Sequence, residues 1–131
     1  MAVDPDQFFA SAKSIFDGSD TEISARNSAS RAYYYAFHLA RQLSDRLPNT
    51  IVGAGGVHET LIRKLNGLPY SHSAALKCRS VGYQLALFRK TRTKADYDLG
   101  IDFLRSEAEA LLLNIPRFVA TVEEALDLFK K

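Results

Sequence analysis

The sequence predicts an all-α fold: an up-and-down bundle of four to five helices, in a single domain spanning residues 1–131. Three observations lead there. Apolar residues recur every three or four positions over nearly the whole chain, the spacing of helices that bury one face. No stretch alternates apolar and polar residues as a half-buried strand does. The stop signals Gly18, Pro48 and Gly67 fall between the periodic stretches.

The elements follow in order. Asp4 and Pro5 mark a helix start, with Asp4 as the cap and Pro5 in the first turn. Phe8, Phe9, Ala12, Ile15 and Phe16 form its stripe, and Gly18 ends it. Ser19 and Asp20 are candidate caps for a second helix, which runs for roughly 25 residues until Pro48 forbids it. Its seam is Ala25, Ala29, Ala32, Ala36, Leu39 and Leu43, so a partner helix can approach closely. PNTIVGAGG, residues 48–56, reads as a loop. It is not a phosphate loop, because no Gly-Lys-Ser/Thr follows. HETLIRKLN, residues 58–66, is a short helix closed by Gly67. LPYSHS connects to a fourth helix from about Ala74, with Ser71 or Ser73 as its cap. Val81, Leu85 and Phe88 mark the buried face of that helix, and the same stripe extended by four residues lands on Arg92. The last helix begins near Asp98 or Asp102. Its seam is Leu104, Ala108, Leu111, Ile115, Phe118, Val122, Leu126 and Phe129, and Pro116 inside it predicts a kink.

Bulk properties narrow the function classes. A chain of 131 residues can bury a core without staples. The hydrophobic content of 47% and charged content of 24% are those of a globular protein and not of a disordered one. A net charge of +2 gives no strong global field for nucleic acid, although a local basic patch stays open. The single Cys78 cannot form an internal disulfide and reads as packing, which fits a reducing cytosol. The acidic opening MAVDPDQFF lacks the pattern of a signal peptide. No apolar run approaches the roughly 18 residues of a membrane helix. The expected location is cytoplasmic, with no membrane partner.

Several familiar motifs fail. His58-Glu59 begins like a zinc-binding HExxH, but Ile62 occupies the place of the second histidine, so no metal site is expected. His72 stands alone in a loop and reads as a surface residue. No cofactor motif is present. The run Arg89, Lys90, Arg92 and Lys94 either answers the helix dipole or contacts phosphate.

Two constellations remain. Asn27, Arg31, Tyr34, His38 and Arg41 recur at four, three, four and three residues, a polar and aromatic stripe beside the alanine seam. Arg31 and His38 lie two turns apart, roughly 10 Å along the axis. Arg31 can hold a phosphate, His38 can move protons near neutral pH, and Tyr34 can stack or donate a hydrogen bond. The competing reading is an interface helix whose polar tips a partner satisfies. The second constellation is RTKADYD, residues 92–98. Arg92 closes an apolar stripe and so points into a cleft. Asp96, four residues on, can pair with it if the helix continues, and Tyr97 follows. The competing reading is a helix-ending salt bridge with an aspartate capping the next helix. Packing along the seams would bring Arg31, Tyr34 and His38 opposite Arg92 and Asp96.

Taken in order, RNSASRAYYYAFHLARQL, HETLIRKL and LFRKTRTKADYDL ahead of a long amphipathic helix resemble the HEPN superfamily, the higher-eukaryote and prokaryote nucleotide-binding domains. The resemblance runs from the second helix to the end of the chain. It implies a helical bundle that usually dimerises, and membership in prokaryotic toxin–antitoxin or phage-defence systems, often beside a nucleotidyltransferase partner. It also implies metal-independent RNase activity in those members that carry an arginine followed four to six residues later by histidine. Arg92 matches that arginine, but positions 97–99 are Tyr97, Asp98 and Leu99. Three functions follow: an RNA-binding or RNA-cleaving domain using Arg31, His38 and Arg92, with Asn27, Tyr34, Asp96 and Tyr97 as binding residues; a non-catalytic nucleotide-binding or protein-interaction module; or a helical interaction domain without a ligand.

Overall fold

The computed structural model describes residues 3–53 and 55–130, and among these it contains five helices and no strand. The helices are α1 (Asp6–Gly18), α2 (Glu22–Ser44), α3 (Val57–Asn66), α4 (Ala75–Tyr97) and α5 (Arg105–Asp127). They pack as a bundle around α2, which touches each of the other four. No helix among the described residues is long and apolar enough to cross a membrane.

Local chemistry sets the boundaries. The Asp4 carboxylate accepts the Asp6 N–H at 2.9 Å, and the Gln7 side chain accepts the Asp4 N–H at 2.8 Å, which together start α1. The cap of α2 is Thr21, not Ser19 or Asp20. Its hydroxyl accepts the Ser24 N–H, and the Ser19 hydroxyl lies 3.1 Å away as a support. Neither Ser71 nor Ser73 caps α4. There the His72 ring Nδ1 accepts the Ala74 N–H at 3.0 Å while the ring stacks on Phe129, so His72 is half-buried and not a lone surface residue. Helix α5 starts at Arg105, later than Asp98 or Asp102. The Glu107 carboxylate accepts the Leu104 N–H at 2.8 Å and so fixes the first turn. Leu104 itself is exposed and leaves the seam. Ala108, Leu111, Ile115, Phe118 and Val122 are buried as their spacing requires, and the helix runs through Pro116, which lies on the exposed side.

The core is rich in alanine where the helices meet α2. Ala25, Ala29, Ala32, Ala36 and Ala40 are buried there with Leu43, and Leu39 is half-buried. Two arginines hold chain ends in place. Arg105 donates to the carbonyls of Phe16 and Ser19, closing the C-terminus of α1. Arg26, 4% exposed, pairs with Glu22 and donates to the carbonyls of Lys94, Ala95, Asp98 and Ile101. Arg26 thereby pins the last turn of α4, the turn that carries Arg92, Asp96 and Tyr97.

Candidate functional site

Helix α4 turns Val81, Leu85 and Phe88 into the core, and the same face brings Arg92 inside, where it is 5% exposed. Helix α2 presents Ser30, Tyr33, Tyr34 and Phe37 to that region. Helix α3 buries Leu61 and Leu65, and His58 lies one turn before Leu61 on the same side. Arg92, Tyr33, Tyr34 and His58 therefore meet where three helices converge.

The Arg92 guanidinium carbon lies 5.1 Å from the Tyr33 ring centroid, 5.6 Å from that of Tyr34 and 5.6 Å from that of Tyr97. Its closest anionic partner is Asp96, with Nη1 at 3.6 Å from Oδ2, beyond normal hydrogen-bond length. The other use of the Asp96 carboxylate is to accept the Ser30 hydroxyl at 3.1 Å. Nε of Arg92 is buried and has no hydrogen-bond partner among the described residues. Arg26, Arg79 and Arg105, by contrast, donate to backbone carbonyls. Arg92 is a desolvated cation ringed by aromatic faces and short of acceptors.

Beside it, Tyr33 Oη and His58 Nδ1 share a hydrogen bond of 2.6 Å. Burial pushes the Tyr33 hydroxyl up to about 12, against the opposing pull of Arg92 and Arg89, so the phenol stays protonated. Burial, followed by the charges of Arg92 and Arg89, holds the His58 imidazole below its ordinary value, so the ring is neutral at pH 7. Phe37 packs on the His58 ring at 4.9 Å. Arg89 is half-buried one turn before Arg92 and adds a second positive charge.

Arg31 and His38 lie elsewhere. Arg31 is exposed and borders a hollow of about 160 Å³ with Gln7 and Phe8 of α1. The His38 ring sits 5.2 Å from Phe8, and burial lowers its pKa. Asn27 is exposed. At about 100° per residue, Asn27, Arg31 and His38 point roughly 60–100° away from Ser30, toward α1, whereas Tyr34 lies on the Arg92 side. The structure brings together Tyr34, Arg92, Asp96 and Tyr97 of the sequence-derived candidates, and it adds Ser30, Tyr33, His58 and Arg89. An open hollow of about 810 Å³ on the outward side of α4 has a lining that includes Arg89, Lys90 and Lys94 but not Arg92, Tyr33 or His58. No group of three or more His, Cys, Asp or Glu side chains among the described residues is arranged to hold a metal ion.

No family model, curated protein or solved structure matches the chain.

Proposed function

We propose that the chain is a HEPN-like RNA-binding protein of a prokaryotic toxin–antitoxin or phage-defence system, in which Arg92 holds a backbone phosphate and His58 transfers the proton in RNA cleavage. The observation that carries this reading is the unfilled hydrogen-bonding capacity of a buried arginine next to a neutral, hydrogen-bonded histidine. Guanidinium matches phosphate in a bidentate fork, and a phosphate would supply the acceptors that Asp96 at 3.6 Å does not. Tyr97 is 69% exposed and offers a face for a base beside that phosphate.

The chemistry balances with these groups. A ribose 2′-hydroxyl attacks the adjacent phosphorus and gives its proton to His58. The bond from phosphorus to the 5′-oxygen breaks, and that oxygen takes a proton from water. Arg92 neutralises the charge that grows on the equatorial oxygens. The imidazolium so formed donates from Nδ1 to Tyr33 Oη, whose raised pKa keeps it from being lost as phenolate. Assignment to the HEPN superfamily, homodimerisation and pairing with a nucleotidyltransferase-type antitoxin are part of this proposal and rest on the sequence resemblance. The alternative is a non-catalytic nucleotide-binding module. It is favoured by Tyr97 standing where active members of the superfamily carry histidine.

The test is single-stranded RNA incubated with purified protein in EDTA, with binding read by anisotropy and cleavage by gel. Arg92→Ala is expected to weaken binding and abolish cleavage. His58→Gln is expected to lose roughly 100-fold or more in cleavage while binding changes little. Binding without cleavage by the wild type establishes the non-catalytic reading, and failure to bind RNA or nucleotide removes both. Light scattering at twice 14.6 kDa is the expected result for the dimer.

A further inference from the structure

We infer that the ligand is a strand with at least two phosphates, the second held by Arg41 and Lys64 two helical turns along α2 from the Arg92 site. This rests on the RNA-binding reading above. Tyr34 and Arg41 are seven residues apart, so they share one face of α2 at a separation of roughly 10 Å along its axis. The surface between them is a run of rings. Tyr33 and Tyr34 flank Arg92, His58 follows, the Phe37 ring lies 4.9 Å from His58, and the Arg41 guanidinium carbon lies 5.8 Å from Phe37. The run ends at a cavity of about 430 Å³ between the end of α2 and α3, whose lining includes Arg41, Ser44, Asp45, Thr60 and Lys64.

The two cations of this cavity have no ion-pair partner among the described residues. That sets them apart from Lys77, Lys94 and Lys130, each of which reaches a carboxylate within 3.0 Å. Asp45 borders the same cavity without pairing to either, so the local balance of Arg41, Lys64 and Asp45 is one net positive charge. The hydroxyls of Thr60 and Ser44 add donors. A lone mononucleotide at Arg92 leaves this end empty, whereas an extended strand passing over the Phe37 and His58 rings places a later phosphate between Arg41 and Lys64. Such a spacing selects oligonucleotides over mononucleotides by adding a second electrostatic contact on one ligand.

The test compares a 2′-O-methyl RNA hexamer, which has no 2′-hydroxyl nucleophile and stays intact, with 5′-AMP. Wild type, Arg41→Ala/Lys64→Ala and Arg92→Ala are titrated at several salt concentrations. The double variant is expected to weaken hexamer binding roughly tenfold and to flatten its salt slope by about 0.7 for the phosphate released, with 5′-AMP affinity unchanged. Unchanged 5′-AMP affinity also shows that the variant is folded. Arg92→Ala is expected to weaken both ligands. If Arg92→Ala weakens both but the double variant leaves the hexamer untouched, or weakens hexamer and 5′-AMP alike, the second subsite is refuted while RNA binding at Arg92 stands. If Arg92→Ala weakens neither, the RNA-binding reading and the subsite fall together.

Discussion

Replacing Arg92 by methionine, and separately Arg26 by methionine, distinguishes an arginine kept for a ligand from one kept for the fold. Both are almost fully buried, at 5% and 4% exposure. Arg92 faces three tyrosine rings, worth roughly 0.5–1 kcal/mol each, and an ion pair at 3.6 Å worth under about 1 kcal/mol. Against these stand the desolvated guanidinium and its orphaned Nε–H, which costs about 1–3 kcal/mol. Methionine keeps the apolar stem and the ring contacts and removes the orphan. Asp96, left behind, still accepts the Ser30 hydroxyl and reaches water. Arg92→Met is therefore expected to change stability by no more than about 1 kcal/mol, in either direction. Arg26→Met strips four backbone carbonyls of their donor and leaves Glu22 unpaired, for a loss of about 3–5 kcal/mol. At roughly 4 °C per kcal/mol for a domain of this length, Arg26→Met lowers the melting temperature by more than about 10 °C, while Arg92→Met stays within about 4 °C. Urea unfolding followed by circular dichroism measures both. If Arg92→Met proves as damaging as Arg26→Met, Arg92 is a structural rivet between α2 and α4, and the argument from its unfilled hydrogen bonds is wrong.

Two further outcomes follow from the same structure. The fold disfavours the charged form of His58 below the ordinary imidazole value of 6.5, and His38 behaves likewise. Below that value the unfolded chain takes up protons that the folded chain resists. Their stabilising contribution is therefore complete above about pH 6.5 and is lost as pH falls through the folded values. Urea midpoints measured from pH 8 to pH 5 should decline, and His58→Gln should make the decline shallower while His38 keeps part of it. Pro116 is exposed in the middle of α5 and denies a hydrogen bond to the carbonyl four residues earlier. Pro116→Ala should stabilise the protein by about 1–3 kcal/mol, visible as a higher melting temperature. An unchanged or lower value would mean that the helix is built around the proline.

The helices were legible because their periodicity is local. Alanines at 25, 29, 32 and 36 define a buried seam whatever packs on it, and Arg92 could be placed inside because it extends the stripe of Val81, Leu85 and Phe88. Its pairing with Asp96 needed only that α4 continue to Tyr97. The neighbours of each face were not legible. Spacing puts Arg31, Tyr34 and His38 on one stripe, but α2 is surrounded on all sides, and a rotation of some tens of degrees decides between α1 and α4. His58 had no motif to mark it, since HExxH fails at Ile62, and it lies 25 residues from the tyrosine it bonds. A signal was nonetheless present. His58, Leu61 and Leu65 follow a three-and-four spacing, so the imidazole belongs to the buried face of α3. Arg26 was hidden for a different reason, because its partners are backbone carbonyls and backbone carries no sequence signature.

The alanine lining of α2 also bears on conformational entropy. Burying a leucine surrenders roughly 0.5–1 kcal/mol of rotamer freedom, and burying an alanine surrenders none. Five alanines of α2 are buried at 0–1% exposure, so this helix is immobilised with little loss beyond that of its backbone. The freedom that is lost on α2 is concentrated instead in Tyr33, Tyr34, Phe37 and Arg41, the residues that face the candidate ligand. Three of these are aromatic, with two side-chain torsions each, and they rest on a helix whose opposite side has no rotamers to exchange. The surface offered to a strand is stiff before anything binds, so little further ordering remains to offset the contacts made.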